Sequence, residues 1–267
     1  AIVGSLNNIL VAHVEGGELS GTIDELLRHA TSKISHIHFV ANENAKLLLQ
    51  QMGELPECIY SIGSPDVDIM FSNTLPDLKT VQTYYNINFE TYSIAMFHPV
   101  TTEHNQMKTY AKEFVKALIK SNKNYVVVYP NNDMGSQLIL EAYQALSNHS
   151  NFRIFPSIRF EYFLTLLKYS DFIIGNSSAG VREAPYYGIP AINIGTRQNN
   201  RVFSNAIINS GYNSSEIINS IKQIKKINFL KEINNFGNGN SAKEFLNALL
   251  LESFWETNHQ KQFRELK

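Results

Sequence analysis

The stretch that decides the fold is "VAHVEGGELSGTIDELLRH", residues 11 to 29. The apolar run "ILVA" leads into it and stops at Glu15, two glycines follow, and "IDELL" starts a helical period. A strand, a tight turn and a helix in that order form the repeating unit of a parallel-sheet α/β protein. The turn carries the acids Glu15 and Glu18, and the helix start carries Asp24 and Glu25. Acids in a first helical turn favour the positive end of the helix dipole, which gives Asp24 a structural reason to be there. Glu15 has no such reason: a carboxylate closing a buried strand beside Gly16 and Gly17 is a costly placement unless it is used. Two carboxylates in one cleft can divide acid and base work when their surroundings separate their pKa values.

The same unit recurs along the rest of the chain. "HIHFVAN", "CIYSIGSP", "YSIAMFHPV", "YVVVYPNND", "FRIFPSI", "DFIIGNSS" and "PAINIG" read as strands. Between them "IDELLRHATSKI", with Ile23, Leu26, Leu27 and Ala30 on one side, reads as an amphipathic helix. So do "ENAKLLLQQM", the long segment holding Tyr110, Phe114 and Leu118, "SQLILEAYQAL", "FEYFLTLLKY" and "GVREAPYYG". Residues 212 to 250 also look helical. The polar stretch from Ser72 to Ser93 breaks the rhythm and predicts a hinge. The expected organisation is therefore two Rossmann-like domains, 1–75 and 76–250, with a terminal helix over 251–267 that carries Trp255 and packs back on the first domain. Ligands of such sheets bind at the carboxyl ends of strands, and the loops rich in polar and glycine residues all fall there. Two such sheets with their loops facing each other would enclose a deep cleft.

Composition narrows the classes. The 267 residues suffice for a sizeable core, and 23 basic against 24 acidic residues leave a net charge of −1. That balance points away from nucleic acid and from an anionic membrane as main partners. A single cysteine, Cys58, rules out an internal disulfide framework and suits the reducing cytoplasm. No apolar run approaches the ~20 residues of a membrane span. The opening "AIVGSLNN" has no signal-peptide pattern and reads as the second half of a helix feeding a strand.

Among the loops, "GNSSAG" lies between a strand and a helix start, where Ser177 or Ser178 can cap and Gly180 can let the backbone approach a phosphate. Glu183 stands where it could accept hydrogen bonds from ribose hydroxyls. Ordinary capping explains the serines equally well. Arg197 and Arg201 in "GTRQNNR" suit a diphosphate or simply a solvated loop. His98 closes a strand before Pro99. His36 and His38 share a strand face, but no third ligand is placed by spacing, so no metal site is expected. Neither a dinucleotide nor a P-loop fingerprint occurs.

Taken together, "HVEGGELSGTIDELLRH", "SHIHFVANE", "IGSPDVD", "FHPVTTE", "YPNND", "SIRFEYF", "GNSSAGVREAP" and "GTRQNNR" resemble, in order, the hydrolysing UDP-N-acetylglucosamine 2-epimerases of bacterial sialic acid synthesis. Beyond residue 205 the likeness is loose. The resemblance implies a glycosyltransferase-B-like fold and elimination of UDP through a 2-acetamidoglucal, which is then hydrated to N-acetylmannosamine. It implies no metal or other cofactor, and a homodimer or homotetramer. Carried over by motif, Glu15 and Asp24 are acid/base groups and His98 lies by the diphosphate. Asn131, the backbone around Ile158, Ser177, Ser178, Glu183 and Arg197 hold UDP. Members of that family carry a "GTRxDxxK"-like loop and a "GDR" segment before the point where this chain starts. The expectation is an incomplete N-terminal domain, either a fragment or a site completed by another chain, with an exposed sheet edge. Three other readings stay open. One is the same chemistry on UDP-2,4-diacetamido-2,4,6-trideoxyglucose, as in legionaminic acid synthesis; the others are a non-catalytic UDP-sugar binding module and a glycosyltransferase, since fold is a poor guide to reaction.

Overall fold

The computed structural model describes residues 1–20, 23–198, 205–224, 236–262 and 264. The chain divides into two compact units, Ala1–Asn73 with Ile233–Lys267, and Thr74–Glu232.

In the first unit, strands β1 (Ala12–Val14), β2 (Ile37–Val40) and β3 (Ile59–Ser61) form a parallel sheet in that order. Helix α1 (Ile2–Leu6) precedes it, α2 (Ile23–Lys33) and α3 (Glu43–Gln51) make the crossovers, and α4 (Pro65–Phe71) follows β3. β2 is buried along its whole length, while β1 is a partly exposed edge. Phe39 sits at the centre of a cluster with Ile37, Ile62, Ala248 and Phe254.

The second unit begins with α5 (Leu78–Tyr84), a helix inside the stretch expected to be a hinge. Its sheet comprises β4 (Ser93–Met96), β5 (Tyr125–Val128), β6 (Phe152–Phe155), β7 (Ile173–Gly175), β8 (Ala191–Ile194) and β9 (Ile207–Ser210). Helices α6 (Met107–Ser121), α7 (Ser136–Tyr143), α8 (Phe160–Lys168), α9 (Ala184–Tyr187) and α10 (Ser214–Ile224) accompany them. The strand order β6-β5-β4-β7-β8-β9, all parallel, is the doubly wound order 3-2-1-4-5-6. The order reverses between β4 and β7, so the crevice for a ligand opens beyond those two strands. Gly175 makes their close approach possible: its φ is +136°, and a Cβ there would lie 1.8 Å from the Met96 carbonyl oxygen. Phe114 and Leu118 of α6 enter the core, while Tyr110 is only partly buried and stacks on Tyr212 with centroids 3.6 Å apart.

The structure departs from the sequence reading at four places. Residues 233–250, assigned above to the second domain, belong to the first unit, where α11 (Ser241–Leu249) places Phe245 4.6 Å from the Phe39 ring. The terminal helix is short: α12 (Glu252–Trp255) buries Phe254 on Phe39 and Tyr60 and leaves Trp255 exposed. Strand β9 had no counterpart in the sequence reading. The apolar stripe of α2 is exposed at Ile23, Leu26 and Leu27, and Ser32 is its buried residue, because none of the described elements packs over that face.

Candidate active site

The site is built most completely at the switch point of the second unit. β4 ends at Met96 and delivers His98, whose backbone is gripped from the β7 side by Asn176. The fully buried Asn176 amide accepts the His98 N–H through Oδ1 at 2.6 Å and donates Nδ2 to the His98 carbonyl at 2.9 Å. This side chain completes the gap between two strands much as a backbone rung would. The Asn176 carbonyl in turn accepts from Gln198 Nε2 at 2.8 Å and from Arg197 Nη1 at 3.3 Å. One asparagine thus ties together the loops that follow β4, β7 and β8.

His98 is fixed electrically as well. Burial, and then the nearby Arg197 guanidinium, lower its pKa from 6.5 to about 4. Its Nδ1 accepts the Asn131 backbone N–H at 3.0 Å. A neutral imidazole whose Nδ1 accepts must carry its proton on Nε2, so His98 presents an uncharged N–H donor. Asn131 also donates its side-chain Nδ2 to Asp133, and its Oδ1 is buried with no hydrogen-bond partner among the described residues.

The "GNSSAG" loop differs from its expected form. Ser178–Gly180 is a single 3-10 turn, capped by Ser177, whose Oγ accepts the Ala179 N–H at 3.3 Å. Helix α9 follows with only four residues and Pro185 in its first turn, so little aligned dipole stands behind the loop. Gly180 has an ordinary φ and lies against Ala191, which makes Gly175 rather than Gly180 the glycine this region requires. Glu183 is buried at the head of α9, close enough to the Tyr187 hydroxyl to help, after burial, to raise its pKa. Ile158 is half-buried in the loop after β6, next to Arg159, whose N–H is accepted by the Tyr85 hydroxyl at 3.0 Å. Arg201 lies outside the described residues.

In the first unit, Glu15 follows β1 with φ of +62°, a left-handed conformation that a non-glycine residue rarely adopts. Its N–H is held by the Phe39 carbonyl of β2 at 2.8 Å, and its Oε1 accepts the Ser64 hydroxyl at 2.5 Å. Gly17 next to it is also left-handed, and a Cβ there would press on the Ala45 carbonyl at 2.3 Å. Asp24 stands exposed in the first turn of α2. Its neighbour Glu25 closes the preceding loop by accepting the Ser20 N–H at 2.6 Å.

His36 and His38 are engaged in other work. His36 Nδ1 accepts the Val11 N–H, and Nε2 meets the His259 carbonyl at 3.0 Å. His38 Nε2 meets Glu54 at 3.0 Å. Among the described residues no group of three or more His, Cys, Asp and Glu side chains could hold a metal ion.

Over residues 1–250 the sequence matches the protein family described as UDP-N-acetylglucosamine 2-epimerase. The chain belongs to that family. It is 48% identical over 270 aligned positions to a UDP-N-acetylglucosamine 2-epimerase of Neisseria meningitidis, an alignment that takes in 100% of this chain and 71% of the relative. It is 32% identical to the UDP-N,N'-diacetylbacillosamine 2-epimerase (hydrolyzing) of Legionella pneumophila, over 88% of this chain and 63% of that protein. The fold is likewise that of the UDP-GlcNAc 2-epimerase of Methanocaldococcus jannaschii solved with UDP-GlcNAc and UDP, with a TM-score of 0.75 over 93% of this chain and 71% of that one, at 23% identity. The epimerase family's fold, α/β with two parallel sheets in the glycosyltransferase-B-like class, is therefore the fold of this chain.

Asn176 in the second unit and Ser64 in the first are residues that sequence reasoning missed. Each stands inside a quoted motif, but nothing in the motif says that its side chain reaches a loop from another strand.

Proposed function

We propose that this chain carries the hydrolysing 2-epimerase reaction, in which UDP-N-acetylglucosamine and water give N-acetylmannosamine and UDP. The observation that carries the reading is Glu15, a carboxylate held in a left-handed conformation at the end of β1 by a backbone carbonyl and a buried hydroxyl. Strain of that kind concentrates where a side chain must be aimed. The 48% identity to the Neisseria enzyme supports the choice of substrate.

In the first half-reaction a carboxylate, Glu15 or Asp24, takes the proton from C2 of the sugar. The electrons of that bond form the C1–C2 double bond, and the C1–O bond breaks with its pair leaving on the β-phosphate. UDP departs and 2-acetamidoglucal remains. In the second, the hydroxyl of water adds to C1 and a proton adds to C2 from the opposite face, the other carboxylate serving this step. The neutral Nε2–H of His98 and the Arg197 guanidinium meet the charge that builds on the diphosphate. Asn131, the backbone at Ile158, Ser177, Ser178 and Glu183 hold the nucleotide. The reaction needs no cofactor.

Incubation with UDP-N-acetylglucosamine, followed by proton NMR, tests the reading. Free N-acetylmannosamine and UDP are the expected products, and release of N-acetylglucosamine or transfer to an acceptor sugar would overturn it. The second reading, the same chemistry on the diacetamido trideoxy sugar for legionaminic acid, is favoured only by the Legionella relative. The two substrates compared side by side distinguish them, with faster turnover expected for UDP-N-acetylglucosamine. We place the reaction in the cytoplasm as a step of sialic acid synthesis. We expect a homodimer or homotetramer, and a monomer mass by light scattering of the active protein would overturn that expectation.

A further inference from the structure

We propose that Ser64 is the positioning residue for the Glu15 carboxylate, an inference that rests on the catalytic reading of Glu15 given above. Ser64 lies 49 positions from Glu15 along the chain, in the loop between β3 and α4, and is 1% exposed. A serine followed by proline at a helix start ordinarily caps the helix, its oxygen accepting a backbone N–H of the first turn. Ser64 occupies that N-cap position, with φ −92° and ψ 132°, yet makes no side-chain cap hydrogen bond. Its hydroxyl is turned instead toward the end of β1, where it donates to Glu15 Oε1.

The backbone around Ser64 is anchored independently of that hydroxyl. Its N–H donates to the Phe236 carbonyl at 2.7 Å, and the preceding Gly63, at φ +86°, lies against Gly237. Asp68, one turn into α4, accepts the N–H groups of Ser241 and Ala242 at 2.9 Å each and so caps α11. The loop is thus clamped to the helix that packs beneath the sheet, and it offers the hydroxyl from a fixed place. Glu15 is met from two sides, its backbone N–H by β2 and its carboxylate by the loop after β3. A hydroxyl donating to a carboxylate binds the ionised form more strongly than the protonated one and restricts its rotamer. Ser64 therefore governs both the aim of Glu15 and the pH at which it stays ionised.

The test compares Ser64→Ala, Ser64→Thr and Glu15→Gln in the intact protein with UDP-N-acetylglucosamine. Loss of one hydrogen bond to a charged group should lower kcat by about ten-fold or more in Ser64→Ala while KM moves little. The acid limb of the pH profile should move to higher pH. Ser64→Thr, which keeps the hydroxyl, should recover most of the rate and restore the acid limb. Thermal melting of each variant, followed by circular dichroism, should match the parent to within a few degrees. Wild-type kcat in Ser64→Ala, with Glu15→Gln inactive, would overturn the role of Ser64 and leave that of Glu15 standing. Equal losses in Ser64→Ala and Ser64→Thr with an unmoved pH profile would make Ser64 a packing residue and overturn the proposal. Full activity in Glu15→Gln would overturn both roles together.

Discussion

Two hydrogen-bonded carboxylates of the first unit, Glu15 and Glu54, differ in burial and in backbone conformation. Glu54 is 2% exposed and held by three donors: Lys33 Nζ at 2.9 Å, Lys261 Nζ closer still, and the His38 ring, whose pKa burial lowers, at 3.0 Å. The hydrogen bonds from these three groups outweigh burial and lower its pKa from 4.5 to about 2. Lys261 comes from the chain's end and also donates to the carbonyls of Ser32 and Ser35, so Glu54 fastens the C-terminal segment to α2 and β2. Glu15 is half-buried, sits in a left-handed conformation and takes a hydrogen bond from a neutral hydroxyl. Charge saturation at full burial marks a carboxylate that builds the fold. A left-handed backbone at a half-buried strand end marks one that is aimed.

The comparison breaks first at Glu15. Glu15→Gln keeps the shape and the hydrogen-bonding capacity but not the basicity, and proton transfer by a placed side chain contributes roughly 10²–10⁴-fold. Turnover should fall by about three orders of magnitude, with UDP affinity by calorimetry unchanged, because the residues proposed to hold UDP lie in the other unit. A variant that turns over normally would leave Glu15 no more functional than Glu54.

Glu54→Gln should do the reverse. It leaves His38, Lys33 and Lys261 around a neutral amide, and breaking a buried ion pair from one side costs roughly 3 kcal/mol. The loss should show in denaturant unfolding of the first unit, while UDP binding to the folded protein persists. An unchanged unfolding midpoint would remove the structural role.

At the switch point the corresponding test is Asn176→Ala. It leaves the His98 N–H and carbonyl without their partners, and a buried polar group deprived of its hydrogen bond costs about 1–3 kcal/mol. UDP affinity should weaken by about ten-fold. Equal affinity would mean that the β4 and β7 loops hold their places without the asparagine.

The succession of strands and helices, and the polar loops at the strand ends, were legible because each motif is local: apolar run, turn residues, helix start. His98, Ser177 and Arg197 could be named because they end a strand or begin a turn. Asn176 could not, since in "GNSSAG" three polar residues stand in a row and only the register of β4 against β7 decides which one faces His98. Ser64 reads as a cap from sequence, and its actual partner lies on another strand. Glu54 and His38 are drawn together with Lys261 from more than two hundred positions away, a contact that no periodicity announces. Helix α9 is a related case: the helical pattern of "GVREAPYYG" shrinks to four residues, with Pro185 in the first turn and Gly188 as the left-handed cap, and the serines before it close a 3-10 turn instead.

Acid should weaken the fold in two stages whose direction follows from the depressed pKa values. His13 is lowered to about 4 by burial and then by His38 and Arg28, and His98 reaches the same value. Each folded histidine stays neutral where its unfolded form, near 6.5, already binds a proton, so stability falls as pH drops from 6.5 toward 4. Glu54, depressed to about 2, adds a second loss as pH falls from 4.5 toward 2. Unfolding midpoints between pH 8 and 3 should decline through both windows, and in Glu54→Gln the lower decline should be shallower, the remainder coming from Glu113, which hydrogen bonds from Ser214 also lower to about 2. A flat profile from pH 7 to 5 would show that the histidines titrate normally.

The smallest effect expected is at the rim of the Glu54 cluster. Lys33 is one of its three cationic or potentially cationic partners, but its side chain is 49% exposed and it also donates to the Met52 carbonyl at 3.0 Å. A half-exposed ion pair contributes about 0–1 kcal/mol, since water offers the ammonium nearly as much as the carboxylate does. Lys33→Met keeps an aliphatic stem at the end of α2, leaves Glu54 paired with His38 and Lys261, and should lower stability by less than about 1 kcal/mol. Turnover should not change, because the cluster serves the attachment of the C-terminal segment rather than the sugar chemistry. A loss as large as that of Glu54→Gln would mean that the cluster acts as one unit in which no cation is dispensable. A loss of turnover would tie the cluster to the work of Glu15 and dissolve the distinction between the two carboxylates.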